Sequence, residues 1–112
     1  MRQEEIITLP NLVRQYLNYL SGVKSKSMLT VLEYGSDLRL FFRYISKSRG
    51  LADKHTPFDE INISLLSDDI ICTVSLDEAY GFLTYCRNEN KTIIIHEQEK
   101  QSALKDFINI LK

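Results

Sequence analysis

One stretch of the chain, residues 27–45, constrains the fold more than any other. Its apolar residues recur at steps of three and four, so they fall along one stripe of an α-helix. The members of this stripe are Val31, Tyr34, Gly35, Leu38, Phe41, Phe42 and Ile45. The opposite side, which is expected to face solvent, carries Glu33, Ser36, Arg43 and Lys47. A helix with such a continuous apolar stripe needs other elements to pack against it.

Both ends of this helix carry recognisable signals. Ser25 or Ser27 provides a hydroxyl that can accept a hydrogen bond from a backbone N–H of the first turn. Arg49 brings a cation to the C-terminal end, and Gly50 can adopt the left-handed conformation that ends many helices. The pattern therefore predicts a helix over about residues 27–47.

A shorter amphipathic helix precedes it. Pro10 is expected in its first turn, with Thr8 or Leu9 at the cap, and Gly22 is expected to end it. The apolar stripe of this helix consists of Leu12, Val13, Tyr16, Leu17 and Leu20. Because only a short linker separates the two helices, we expect them to pack against each other.

The middle of the chain is less regular. Residues 49–60 contain glycine and proline and are typical of a loop. Residues 61–63 alternate like a strand, but no partner strand follows, so they are interpreted as an extended lead into a short helix over about residues 64–72. The residues expected to face inward there are Leu65, Leu66 and Ile70.

Two more helices are predicted. Ser75 and Glu78 have the spacing of a capping box, which begins a helix over about residues 75–87. The last helix covers about residues 97–111. Its inward residues are Leu104, Phe107, Ile108 and Leu111. Residues 92–95 are β-branched, and their pattern leaves open whether they form a strand or an apolar loop across the core. The prediction is an all-α bundle of four to five helices.

Size and composition favour a soluble domain inside the cell. The chain has 112 residues, which suits one domain, and 44% of them are hydrophobic, too many for a disordered chain. No apolar run approaches the roughly 18 residues of a membrane span, and the N-terminus lacks a signal-peptide core. Cys72 and Cys86 have apolar or aromatic neighbours and are predicted to be buried, reduced thiols. We therefore expect a cytoplasmic protein without a membrane partner.

The charges are distributed unevenly. Residues 14–54 carry eight Lys/Arg against three Asp/Glu, whereas residues 55–112 carry five against ten. A basic half suggests an anionic partner. The alternative is that the two halves neutralise each other across the fold.

The residue types and spacings give no support for an enzyme site. His55 and His96 each stand alone in polar segments, and neither has the companions that a metal site needs. Asp68 and Asp69, like Asp77 and Glu78, lie where helix N-termini favour negative charge. No phosphate-binding, dinucleotide-binding or nucleophile-elbow motif occurs. We therefore expect no catalytic residue, no metal and no cofactor here.

A binding site is the better candidate. Lys24, Lys26, Ser27 and Thr30 cluster where the long helix begins. Two ammonium groups, two hydroxyls and the free N–H groups of a helix N-terminus suit a phosphate. The alternative is ordinary capping beside solvated lysines.

Four motifs in order resemble the N-terminal core-binding domain of phage integrases and Xer-type tyrosine recombinases. The long helix carries the family's pattern at Ser27, Thr30, Tyr34, Asp37, Leu38, Phe41 and Tyr44. The first helix matches at Leu12, Tyr16, Leu17 and Leu20. The capping-box helix matches at Ser75, Leu76, Asp77, Glu78, Ala79, Tyr80, Phe82, Leu83 and Tyr85. The last helix matches at Ser102, Ala103, Leu104, Lys105 and Phe107.

The resemblance implies a SAM-like orthogonal bundle of four to five helices. It also implies that the second and last long helices face duplex DNA during DNA integration and recombination, while a separate catalytic domain of the same parent chain cuts and rejoins the strands. Further recombinase protomers would be partners in a synaptic complex. On this expectation residues 1–112 are a single domain, with a tail at residues 1–7 and a bundle at residues 8–112.

The resemblance also assigns candidate DNA contacts by position. Ser27 and Thr30 match phosphate-contacting hydroxyls, Lys100 matches a basic residue early in the last helix, and Lys105 matches the arginine of its serine-alanine-leucine motif. Arg43, on the expected solvent face of the long helix, is a further candidate beside Lys24 and Lys26. The chain departs from the family at Glu99, where relatives usually have a basic residue, and Glu97 adds another negative charge, so we expect weak, salt-sensitive binding. The alternative function is a helical protein–protein interaction module without DNA binding.

Overall fold

The computed structural model describes residues 1–89 and 97–111, with side chains described for residues 1–89 and 104–111. Every regular element within them is a helix, which confirms the all-α prediction. The α-helices are α1 (Asn11–Gly22), α2 (Met28–Ser48), α3 (Asp68–Cys72), α4 (Leu76–Asn88) and α5 (Glu97–Leu111). Short 3-10 helices cover Gln3–Thr8 and Phe58–Glu60. Residues 92–95 lie outside the described residues, so the alternatives of a strand or an apolar loop stay open there. His96 also lies outside them.

An aromatic cluster joins the four longer helices. Phe42 of α2 packs edge-on against Phe107 of α5, with ring centroids 5.9 Å apart, and Phe107 in turn packs against Tyr16 of α1 at 5.0 Å. Phe41 packs against Phe82 of α4 at 5.4 Å. Edge-to-face pairs of this kind add to the free energy gained from apolar burial. The phenylalanines of the predicted stripe therefore lie in the centre of the core.

The predicted signals at the helix ends are confirmed. The Ser27 hydroxyl caps α2 by accepting from the Thr30 N–H. Gly50, with φ of 70°, supplies the left-handed residue that follows α2. Ser75 and Glu78 form the predicted reciprocal capping box at the start of α4. The boundaries of α2, α4 and α5 accordingly agree with the sequence to within about one residue.

Two predicted helix starts were wrong. Pro10 is the N-cap of α1 and not a first-turn residue, because its ψ of 155° is extended and the helix begins at Asn11. α3 begins only at Asp68, because the Ser67 hydroxyl caps it by accepting from the Ile70 N–H. Leu65, predicted to face inward, therefore lies in the preceding turn and is 89% exposed.

Burial also differs at particular residues. Ser36, predicted on the solvent face of α2, is buried, because α2 is covered on more than one side. Cys72, predicted to be a buried thiol, is exposed at the last position of the short α3, in which Ile71 is the buried residue. Cys86 is a buried free thiol, as predicted.

The segment predicted as a tail is folded against α2. Glu5, in the Gln3–Thr8 turn, accepts from the Arg39 guanidinium at 2.8 Å. The Met1 sulfur packs over Gly35, where a Cβ atom would come within 3.1 Å of it and of the Leu17 side chain. The lack of a side chain at Gly35 therefore allows the close approach of this N-terminal segment to α2.

The Glu5 carboxylate gives the fold a pH dependence that can be measured. The backbone N–H of Arg2 and the guanidinium of Arg39 lower the pKa of Glu5 from 4.5 to about 2. A depressed folded-state pKa stabilises the fold above the unfolded value, and that contribution is lost as the pH falls from about 4.5 towards 2. The slope of the unfolding free energy against pH reflects the difference in bound protons between the unfolded and folded states. We expect Glu5→Gln to reduce this difference by up to about one proton in this window.

Chemical denaturation at a series of pH values measures that slope. The matched control is Glu4→Gln, which makes the same change one residue away at a carboxylate that is 69% exposed. An equal loss of slope in both variants would show that the Glu5–Arg39 pair does not cause the dependence.

Candidate nucleic-acid interface

The corner between α1 and α2 is a tightly bonded turn. The N–H groups of Val23 and Lys24 both donate to the Tyr19 carbonyl, at 2.9 and 3.1 Å, and the Lys26 N–H donates to the Leu20 carbonyl at 2.9 Å. Ser25 adopts φ of 53°, in the left-handed region. These bonds use the last carbonyls of α1 and hold the linker in a defined path.

The hydroxyls predicted as phosphate contacts take part in the α2 cap. Ser27 Oγ accepts from the Thr30 N–H at 3.2 Å and donates its own proton to Thr30 Oγ1 at 3.1 Å. This arrangement leaves the Thr30 hydroxyl proton available to donate to a further acceptor. The same residues therefore satisfy the capping interpretation and present a donor at the helix N-terminus.

Lys24 and Lys26 lie on both sides of the left-handed Ser25, and both are exposed. The Lys24 ammonium lies 5.9 Å from the centroid of the Tyr19 ring, within cation–π range. No Asp or Glu occurs in the sequence between Glu5 and Glu33, so this corner has a local excess of positive charge. The partial positive charge of the α2 N-terminus adds to it.

Arg43 does not face solvent as predicted. It is half-buried, and its Nε donates to the Ile61 carbonyl at 3.3 Å. Desolvation by burial lowers the pKa of its guanidinium. The extended segment that leads to α3 covers this side of α2, so Arg43 has a structural role.

The predicted contacts on α5 lie in the other helix that the resemblance assigns to DNA. Lys105 is exposed, and the neighbouring Asp106 accepts from the Tyr16 hydroxyl of α1 at 3.0 Å. Tyr16 stacks on Tyr19 with ring centroids 6.4 Å apart. Through these rings the lysine corner is connected to α5. Lys100 lies in α5, and its side chain is outside the described part.

A metal site would require several ligating side chains to lie close together among the described residues. No group of three or more His, Cys, Asp or Glu side chains that could hold a metal ion occurs among them. Nor is any of their helices long and apolar enough to cross a bilayer. A largely apolar groove of about 390 Å³ lies between α1 and α5, and Leu12, Tyr19, Cys72 and Ile110 line it.

Three exposed apolar side chains at the same corner were missed by sequence reasoning. Val23 is 71% exposed, Leu29 69% and Met28 43%. Part of the signal was present, since Leu29 lies well off the apolar stripe, whereas Met28, three residues before Val31, falls at the edge of the stripe. The corner therefore combines cations, hydroxyls and exposed apolar groups.

Comparison with known proteins agrees with the architecture. Residues 13–59, which contain the lysine corner, match the family described as "Phage integrase, N-terminal SAM-like domain". Tyrosine recombinase XerC of Caldanaerobacter subterraneus subsp. tengcongensis is 37% identical over 107 residues, which is 96% of this chain and 30% of the relative. The chain thus spans about a third of the length of that relative. No solved structure gives a significant match. Residues 13–59 are therefore similar to the phage integrase N-terminal SAM-like domain family, and nearly the whole chain is similar to a tyrosine recombinase.

Proposed function

We propose that this chain is the core-binding domain of an integrase-type tyrosine recombinase and that it grips duplex DNA. The observation that carries the proposal is the exposed pair Lys24 and Lys26 at the capped N-terminus of α2, inside the segment that matches the family. A separate domain of the same parent chain performs catalysis during DNA integration and recombination, in the cytoplasm. Recombinase protomers in a synaptic complex are the further partners.

The proposed grip uses phosphate chemistry. Lys24 and Lys26 displace counterions from the DNA backbone, which supplies most of the affinity of such contacts. The N–H groups of Met28 and Leu29, in the first turn of α2, and the Thr30 hydroxyl provide donors for one phosphate. Lys105, with Lys100 on the same helix, supplies a second set of contacts. Arg43 is not included, because it is half-buried and its Nε donates to the Ile61 carbonyl.

The charge of the whole domain sets the strength of this grip. The chain has a formal net charge of −1, so the positive charge of the α1–α2 corner is offset by acidic residues elsewhere in the domain. We therefore expect weak binding that falls steeply as salt is added, with sequence specificity increased in the parent protein.

An NMR titration tests the proposal directly. Unlabelled duplex DNA is added to ¹⁵N-labelled domain at low salt, and backbone amide shifts are followed. We expect the largest shifts at residues 24–30 and 99–105, with reversal on raising the salt. Shifts confined to other surfaces, or no shifts at all, would contradict the proposal. Binding to a protein partner that persists in salt, with no response to DNA, would favour the interaction-module alternative.

A further inference from the structure

The exposed apolar residues of the described chain are not evenly spread. They are Ile7, Val23, Met28, Leu29, Leu51, Leu65, Tyr80 and Ile110, and three of these eight lie within seven consecutive residues of the α1–α2 corner. Single exposed apolar residues are common, whereas a local cluster marks a contact surface. This cluster has Lys24 and Lys26 within it.

The position of these side chains follows from the cap. Ser27 is the N-cap, so Met28 and Leu29 are the first two helical residues of α2. The apolar stripe begins only at Val31, which is buried. Met28 and Leu29, in contrast, are 43% and 69% exposed, so much of each side chain is open to a partner.

Charge complementarity indicates what covers this surface. The cluster lies beside Lys24 and Lys26 and at the positive end of α2, which favours a polyanion with apolar groups on its surface. Duplex DNA has such a group in its major groove, the C5 methyl of thymine. A leucine or methionine side chain cannot pair with the donors and acceptors of base edges, so the methyl group is what it can contact favourably.

We propose that Leu29 and Met28 contact thymine methyl groups in the major groove and give the domain a preference for thymine. The proposal rests on the proposed function, because Lys24, Lys26 and the α2 N-terminus must first hold the phosphates. In this division of roles the lysines supply affinity for any sequence, and the two apolar side chains discriminate among base pairs.

The test uses two duplexes that differ only by the methyl group. One is an alternating dA·dT duplex and the other is an alternating dA·dU duplex of equal length, and binding is measured by fluorescence anisotropy at low salt. We expect about three- to tenfold tighter binding to the thymine duplex. Leu29→Ala should bring this ratio close to one, and Met28→Ala should lower the ratio in the same direction.

The matched control is Leu65→Ala, which truncates an 89% exposed leucine outside the corner and should keep the full preference. Thermal unfolding of each variant checks that the fold is intact, as expected for exposed positions. Leu29→Ala separates contact with the methyl group from a difference in duplex shape, because a preference that arises from shape would persist in that variant.

The remaining outcomes are decisive. Equal binding of both duplexes by the unaltered chain would overturn the thymine contact and leave the proposed DNA grip standing. Absence of binding to either duplex would overturn both. The last measurement uses vesicles that contain anionic lipid. If the chain binds them through Leu29 and shows no thymine preference, the corner contacts a membrane surface and the proposal is overturned.

Discussion

Phe107→Ala is expected to lower the free energy of unfolding by about 3–5 kcal/mol. Phe107 is fully buried and contacts Tyr16 of α1 and Phe42 of α2, so truncation leaves a cavity where three helices meet. A domain of this size has a total stability of about 5–15 kcal/mol, so the variant loses much of it. The measurement is urea denaturation followed by circular dichroism, with the midpoint and slope compared.

The control for this prediction is Ile110→Ala on the same helix. Ile110 is half-exposed, so its truncation is expected to cost less than about 1 kcal/mol. A loss for Phe107→Ala no larger than that for Ile110→Ala would mean that α5 is not fixed to the bundle through this aromatic contact.

Local signals allowed most helices to be predicted. The α2 stripe, the Ser27 cap, the Gly50 stop and the Ser75–Glu78 capping box each depend on residues within a few positions of one another. Such interactions can be read from spacing alone, because the chain geometry of a helix is the same in every context.

Contacts between distant segments could not be predicted in this way. Glu5 and Arg39 are separated by 34 positions, and no spacing rule relates them. The N-terminal segment packs closely over Gly35, which in the sequence is only one small member of the α2 stripe. Arg43 was placed on the solvent face for the same reason, since the segment that covers it follows eighteen residues later at Ile61.

The same distinction between local and long-range features applies to the candidate site. Lys24, Lys26, Ser27 and Thr30 were predicted together because they are neighbours in sequence, and the α1–α2 corner holds them in one turn. Burial, in contrast, depends on the whole fold, so the extent to which Met28 and Leu29 are exposed could be measured only in the structure.

The double variant Lys24→Gln/Lys26→Gln is expected to weaken binding to duplex DNA by on the order of 10- to 100-fold at low salt. Each lysine that neutralises one phosphate contributes about 0.9 to the slope of log affinity against log salt concentration, so the slope should fall by about 1.8. Both side chains are exposed, and the fold is expected to be unaffected. The measurement is fluorescence anisotropy with one duplex over a range of salt concentrations.

The matched control is Lys47→Gln/Lys54→Gln, which removes the same charge at the other end of α2. With a rise of 1.5 Å per residue, Lys47 lies about 28 Å along the helix axis from Met28, and Lys54 lines the same hollow as Lys47. This variant should keep nearly the full affinity and salt slope, because its charges are too far from the α2 N-terminus to contact the same phosphates. If both double variants lose affinity equally, attraction depends on net charge and the corner is not the site of contact.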